Sequence, residues 1–172
     1  MTESTRTSAL ASRHRALGSD LEDWNGMGTA WSYNSDPCDE HDAVREAAGL
    51  FDMSGLKKVH VKGKDAEAVV DYIITRDMTK IGPGQSAYGA ILTDEGMIAD
   101  DAIIANMGDN EYIVVHGGGS TMELLEETAK GKDVTCEFDD DLHDISLQGP
   151  KALELLDAHT PMDLSSLKYF HQ

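Results

Sequence analysis

Two periodicities divide the chain. From Lys57, apolar and polar residues alternate in "KKVHVKG", which sets Val59 and Val61 on one face of a strand. The period then changes in "KDAEAVVDYIIT". There Ala66, Val69, Val70 and Ile73 recur at the i, i+3, i+4, i+7 spacing of a helix, with Asp65 placed to cap it. Alternation returns in "SAYGAILTDEG", "MIADDAIIANMG" and "EYIVVHG", three strands separated by turn residues. "STMELLEETAKGK" predicts an amphipathic helix opened by a capping box from Ser120 to Glu123, and "DVTCEFD" and "DISLQG" predict two more strands. Upstream, "DPCDEHDAVREAAGLFD" predicts a helix with Asp36 as N-cap, Pro37 in its first position and Gly49 at its end. Its apolar face is Val44, Ala47 and Ala48. Downstream, "PKALELLDAH" predicts a helix with Pro150 in its first turn.

A strand, a helix, several hairpin-linked strands, a helix and a strand predict an α+β fold with a ferredoxin-like split βαβ lobe over 57–140. Residues 1–56 are then the N-terminal segment and helix of a first lobe, to which 141–172 return without completing it. No repeat or low-complexity linker interrupts the chain, and continuous structure is expected after roughly residue 20.

Composition narrows the partners. The 172 residues include 32 acidic and 14 basic side chains, a net charge of -18. Nucleic acid, which requires a basic footprint, is excluded as an expected partner. Cys38 and Cys136 have no C-x-x-C or other ligand spacing, which fits a reduced, cytoplasmic chain. In "MTESTRTSALASRHRALGSD", Arg6, Arg13 and Arg15 amid Ser and Thr faintly suggest a transit peptide and read more simply as a polar leader. No segment has the apolar length of a signal peptide or a membrane span, so no membrane association is expected. The run "EFDDDLHDIS" offers oxygen ligands in Asp139, Asp140, Asp141 and Asp144, with His143 beside them. It lacks the glycine-centred calcium loop and reads as a solvated turn, so no metal is expected.

Asp100 and Asp101 interrupt an otherwise apolar strand, where Asp is disfavoured and costly to bury without a partner. Strand neighbours point to opposite faces, so if helices pack on one face, one of the two carboxylates is directed into a core or a cleft. The alternative is a pair at a strand end or bulge, hydrated or bonded to a backbone amide.

"AVREAAGLFDMSGLKKVHVKGKDA", "GQSAYGAILTDEGMIADDAII", "EYIVVHGG" and "SLQGPKALELL" resemble, in order and spacing, the N-terminal half of the glycine-cleavage T-protein family, the folate-dependent aminomethyltransferases and their demethylase relatives. The resemblance runs over residues 44 to 156 and implies the folate-binding aminomethyltransferase fold, truncated here. It also implies tetrahydrofolate as cofactor and transfer of a methyl or aminomethyl group from a small donor. By the family's glycine-turn spacing, "EGMIAD" makes Asp100 the catalytic carboxylate facing the cofactor. Asp101, where the family carries an apolar residue or proline, is expected on the other face, structural or solvated. Tyr88 matches a tyrosine lining the folate cavity, Leu56 an apolar residue touching the pterin, and Tyr169 and Phe170 an aromatic pair there.

The departures from the family concern the donor. Gly55 stands where relatives carry a histidine and His116 where they carry an asparagine, so His116 is an expected donor-site group. The glycines at 117 to 119 precede a helix N-terminus, which can receive a substrate carboxylate. The segment "WNGMGTAWSYNS" supplies Trp24, Trp31 and Tyr33, either as rings around a cationic donor, with Tyr33 as substrate-binding residue, or as anchors for the N-terminal segment. The family is roughly twice this length by the same resemblance. Its later glutamate and arginine have no counterpart before Gln172, so a fragment, or a second chain supplying the C-terminal half, is expected. Three function classes follow: a folate-dependent transferase, of T-protein type with a lipoyl carrier or of demethylase type; a non-catalytic folate-binding protein of the iron–sulfur assembly type; and an interaction module without folate.

Overall fold

The computed structural model describes residues 5 to 172; the first four residues of the polar leader lie outside them. In chain order the elements are β1 (Arg6–Thr7), α1 (Ala11–Ala16), β2 (Glu22–Trp24), β3 (Met27–Thr29), α2 (Pro37–Glu46) and β4 (Gly49–Asp52). There follow β5 (Lys57–Lys62), α3 (Ala66–Ile73), β6 (Gln85–Leu92), β7 (Ile98–Gly108), β8 (Glu111–His116), α4 (Thr121–Ala129) and β9 (Thr135–Phe138), and then β10 (Ile145–Gln148) and α5 (Ala152–Asp157). The fold is α+β. It divides into a unit of Met1–Gly55 with His143–Leu167 and a unit of Leu56–Leu142 with Lys168–Gln172. The last five residues thus fall with the second unit, and 143–167 with the first. His171 bridges to Gln85 and the Phe170 carbonyl accepts from the Ser86 amide at 2.8 Å, which ties the tail to the edge of β6.

In the first unit, the leader is structured earlier than its polarity implies. β1 pairs in parallel with β3, and α1 buries Ala11 and His14. A six-residue helix is too short to impose a period on the sequence. β2 and β3 form a hairpin whose turn residues, Asn25 and Gly26, both have positive φ (55° and 80°). That is the preferred use of an Asn-Gly pair. Asp36 caps α2 by accepting from the Cys38 amide at 2.8 Å, and Pro37 opens it as expected. The helix stops at Glu46, short of Gly49, because 49–52 pair antiparallel with β10.

The second unit is one antiparallel five-stranded sheet in the order β6-β7-β8-β5-β9. β8 lies between β5 and β7, and β5 lies between β8 and β9, so each helical crossover is split by a strand from the other. α3 buries Ala66, Val69, Val70 and Ile73, the four positions of its predicted stripe. With Leu125 of α4 they pack on Val59, Val61, Ala87, Ile91, Ala102, Ile104 and Val114 of the sheet. Both helices cover this one face. Burying such side chains contributes roughly 1.5–3 kcal/mol each relative to exposure.

The two predicted helix caps in this unit are not made. Ser120 and Asp65 cap no helix amide through their side chains. Asp65 instead accepts from the Asp133 amide at 2.7 Å. The acidic run near 139 is a turn: Asp139 accepts from the amides of Asp141 and Leu142 and lies 3.0 Å from His60.

Candidate active site

The strand register decides where the two carboxylates go. Asp100 stands opposite Ile91, whereas Asp101 stands opposite Ala90, beside the Tyr88–Ile103 pair. Ile91, Ala102 and Ile104 are buried under the helices, so Asp100 is on the packed face and Asp101 on the open one.

Asp100 ends in a bonding network at the start of α4. Its Oδ2 accepts from the Thr121 hydroxyl at 2.6 Å and the Gly118 amide at 3.3 Å, and lies 3.0 Å from His116 Nδ1. Its Oδ1 accepts from the Asp101 amide at 2.9 Å. The side chain is 7% exposed and that of His116 is 0%. Burial pushes the Asp100 carboxyl up, but the hydrogen bonds from Thr121, His116 and the Asp101 amide outweigh it and hold the group below its usual range. It is therefore ionised, and His116 donates to it through Nδ1–H. Burial lowers the His116 proton affinity further than Asp100 raises it, so the imidazole is neutral. Its Nε2 is buried without a hydrogen-bond partner among the described residues.

The glycine run takes its meaning from this carboxylate. A Cβ on Gly119 would stand 2.7 Å from the Ala99 carbonyl oxygen and 3.1 Å from the Asp100 Cβ. One on Gly117 would stand 3.0 Å from Asp100 Oδ1. The loop before α4 thus packs closely on Asp100, which accepts from the Gly118 amide and the Thr121 hydroxyl.

Asp101 is exposed on the open face and accepts from the Tyr88 hydroxyl at 2.6 Å. That bond and the carboxylate's charge raise the Tyr88 phenol, which stays protonated. Tyr88 is 53% and Ile103 42% exposed, so an aromatic ring, an apolar side chain and a carboxylate share one accessible patch. The tail lies at the edge of the same sheet beside β6, with the rings of Tyr169 and Phe170 edge to face at 4.6 Å. Leu56 is half-buried and gives its carbonyl to the Lys58 ammonium at 2.7 Å. Of the expected site residues, then, Asp100 and His116 meet on the packed face. Tyr88 lies on the opposite face from both.

Tyr33 sits in the first unit, at the end of a hydrogen-bonded chain whose members are far apart in sequence. Its hydroxyl is 2.8 Å from His14 Nδ1, and His14 Nε2 is 2.9 Å from Asp52 Oδ2, which Ser8 also contacts. Burial raises the Asp52 carboxyl, but hydrogen bonds from Ser54, Ser8 and His14 bring it down to about 2. The ionised carboxylate holds the proton on Nε2, so Tyr33 donates to Nδ1. The ring of Tyr33 lines a cavity of about 1180 Å³ together with Trp24 and Trp31. Trp24 also lies over Gly55, where any Cβ would strike the indole. The glycine at 55 and the tryptophan at 24 are therefore one packing arrangement.

Comparison with known proteins agrees with this architecture. The model of the GCVT N-terminal domain matches residues 10–172. The chain is 53% identical over 171 residues to the heme-dependent oxidative N-demethylase gamma subunit of Ectopseudomonas mendocina, covering 99% of this chain and 45% of that protein. It is 34% identical to the aminomethyltransferase of Saccharopolyspora erythraea, covering 97% of this chain and 46% of that protein. The crystal structure of glycine cleavage system aminomethyltransferase T from Bartonella henselae superposes with a TM-score of 0.85 at 27% identity, over 96% of this chain and 46% of that one. The chain thus spans about half the length of the relatives it matches. Matched along nearly all of its own sequence by family model, relatives and solved structure alike, it belongs to the GCVT N-terminal domain family of the aminomethyltransferases.

Proposed function

We propose that this chain forms the N-terminal part of a tetrahydrofolate-dependent one-carbon transferase, and that Asp101, not Asp100, is its cofactor-facing carboxylate. The observation that carries the choice is the split between the faces. Asp100 spends its lone pairs on Thr121, Gly118, His116 and a backbone amide under α4, while Asp101 and Tyr88 are accessible together.

The open patch fits the cofactor. A flat pterin needs a ring to stack on, an apolar neighbour and an acceptor for its N–H groups, which Tyr88, Ile103 and Asp101 supply. Tetrahydrofolate, when bound, offers amine nitrogens that accept the carbon unit. Asp101, already an acceptor for the Tyr88 hydroxyl, accepts a hydrogen bond from such an amine and stabilises positive charge developing there. Tyr88, kept as a phenol, fixes the orientation of that carboxylate. Leu56, Tyr169 and Phe170 are proposed to border the same cofactor, and His116 acts at one remove by holding Asp100 and the start of α4.

The demethylase name of the 53% identical relative supports an N-methyl amine as the carbon source rather than a lipoyl-borne aminomethyl group. The strand order supports reading 57–140 as a ferredoxin-like split βαβ lobe with β6 added at its edge. The two free cysteines are compatible with a reduced, cytoplasmic setting, and among the described residues no helix is long and apolar enough to cross a membrane.

The test is calorimetric binding of tetrahydrofolate and single-turnover transfer by the full-length enzyme carrying Asp101→Asn or Asp100→Asn. The proposal expects Asp101→Asn to cost at least about tenfold in transfer while the protein stays folded. Full transfer by Asp101→Asn would overturn it.

A further inference from the structure

The ladder between β7 and β8 stops one residue short of Asp101. Its last rung joins Ala102 to His116, and past it β7 faces the 117–119 loop instead of a strand. On the other side of β7 the register with β6 slips just beyond Asp100, between Ile91 and Leu92. Asp101 thus stands where regular pairing gives out on one side and is about to shift on the other. A side-chain network occupies the place of the missing rung. Oδ2 of Asp100 accepts from the Thr121 hydroxyl at 2.6 Å, from His116 Nδ1–H at 3.0 Å and from the Gly118 amide at 3.3 Å. Three donors anchor that oxygen and so aim the other: Oδ1 accepts from the Asp101 amide at 2.9 Å.

We propose that Asp100 and His116 are positioning residues for Asp101. Anchored by His116, the Asp100 carboxylate fixes the Asp101 peptide, and with it the direction in which the Asp101 side chain meets Tyr88 and a ligand on the open face. His116 suits this task because its ring has one useful place for a proton. The side chain is 0% exposed and Nε2 has no hydrogen-bond partner among the described residues, so a proton moved from Nδ1 to Nε2 loses Asp100 and gains nothing. Asparagine can replace it, because the amide Nδ2 hangs from Cγ as the imidazole Nδ1 does; leucine has no donor to offer. The effect on transfer rests on the one-carbon reading of Asp101, whereas the placement of Asp101 does not.

Tyr88 reports where Asp101 is, since its bond to that carboxylate holds the phenol above its ordinary value of 10.0. The test is nuclear magnetic resonance of the unliganded full-length enzyme, isotope-labelled at histidine nitrogens and tyrosine rings, followed by single-turnover transfer at saturating tetrahydrofolate. In the parent, His116 should be the Nδ1–H tautomer at neutral pH. In His116→Leu the Tyr88 phenol should fall back toward 10.0, the Asp101 amide should exchange faster, and transfer should drop about tenfold. His116→Asn should restore all three. Thr121→Val, which removes another anchor of the same oxygen, should move the two spectroscopic signals in the same direction and serves if His116→Leu does not fold. An Nε2–H tautomer in the parent, an unmoved Tyr88 phenol in the folded variants, or failure of asparagine to restore it would overturn the proposal. A moved phenol with undiminished transfer would uphold the placement and overturn the one-carbon role of Asp101 instead.

Discussion

The two faces of the five-stranded sheet are made by the same strands and have opposite characters. Toward α3 and α4, alternate residues of β7 are Asp100, Ala102, Ile104 and Asn106, all closed off or bonded. Toward the other side they are Asp101, Ile103, Ala105 and Met107, of which Ile103 and Met107 are large apolar side chains left exposed. One residue of register separates a carboxylate that holds a helix in place from one available to a ligand. Adjacent identical residues in a strand are therefore opposites in role, and chemistry inferred from a motif has to be assigned to a face before it is assigned to a residue.

The comparison can be broken most forcefully in the core. Ile104→Ala should cost about 2–5 kcal/mol in urea denaturation, because a fully buried side chain leaves a cavity. Ile103→Ala, one residue away on the open face, should change stability by about 0.5 kcal/mol or less. Equal losses would mean that the open face is packed as well. Gly119→Ala should cost about 1–3 kcal/mol, since its methyl group would press on the Ala99 carbonyl and on Asp100; slowed folding of α4, read by hydrogen exchange, would locate the damage.

Acidification sharpens the same contrast. Burial depresses the proton affinity of His116 in the folded state, so the unfolded chain takes up this proton first. Its contribution to stability is full above the ordinary histidine value of 6.5 and declines as the pH falls below it. Asp100, also depressed, adds a second loss as the pH falls through its ordinary value of 3.8. A thermal melting series should show both declines, and His116→Asn should remove the first. The smallest effect on stability is expected from Tyr88→Phe, which breaks one exposed hydrogen bond and should leave melting unchanged within about 0.5 kcal/mol. The same change should weaken tetrahydrofolate binding in the full-length enzyme, and undiminished binding would remove Tyr88 from the site.

The sheet and its helices were legible because their periods are local. The stripe Ala66, Val69, Val70 and Ile73 and the alternation of β5 to β8 need only neighbours in sequence. The Asn25–Gly26 hairpin is legible too, since an Asn-Gly pair is itself a turn signal. What escaped depends on residues far apart. Asp100 of β7 holds the Gly118 amide and the Thr121 hydroxyl at the approach to α4, and Asp52 joins His14 and Tyr33 from separate elements. Alternation requires Asp100 and Asp101 to part. Which of them meets the helices is set by pairing with β6, and no window of the sequence contains that pairing.

The most direct measurement is urea denaturation at neutral pH of Asp100→Asn and Asp101→Asn beside the parent chain, which needs neither cofactor nor substrate. The account predicts a loss of about 1.5–3 kcal/mol for Asp100→Asn, whose charged acceptor serves buried donors, and a change of no more than about 0.5 kcal/mol for Asp101→Asn. A parent-like Asp100→Asn, or a larger loss from Asp101→Asn, would contradict the assignment of the two faces.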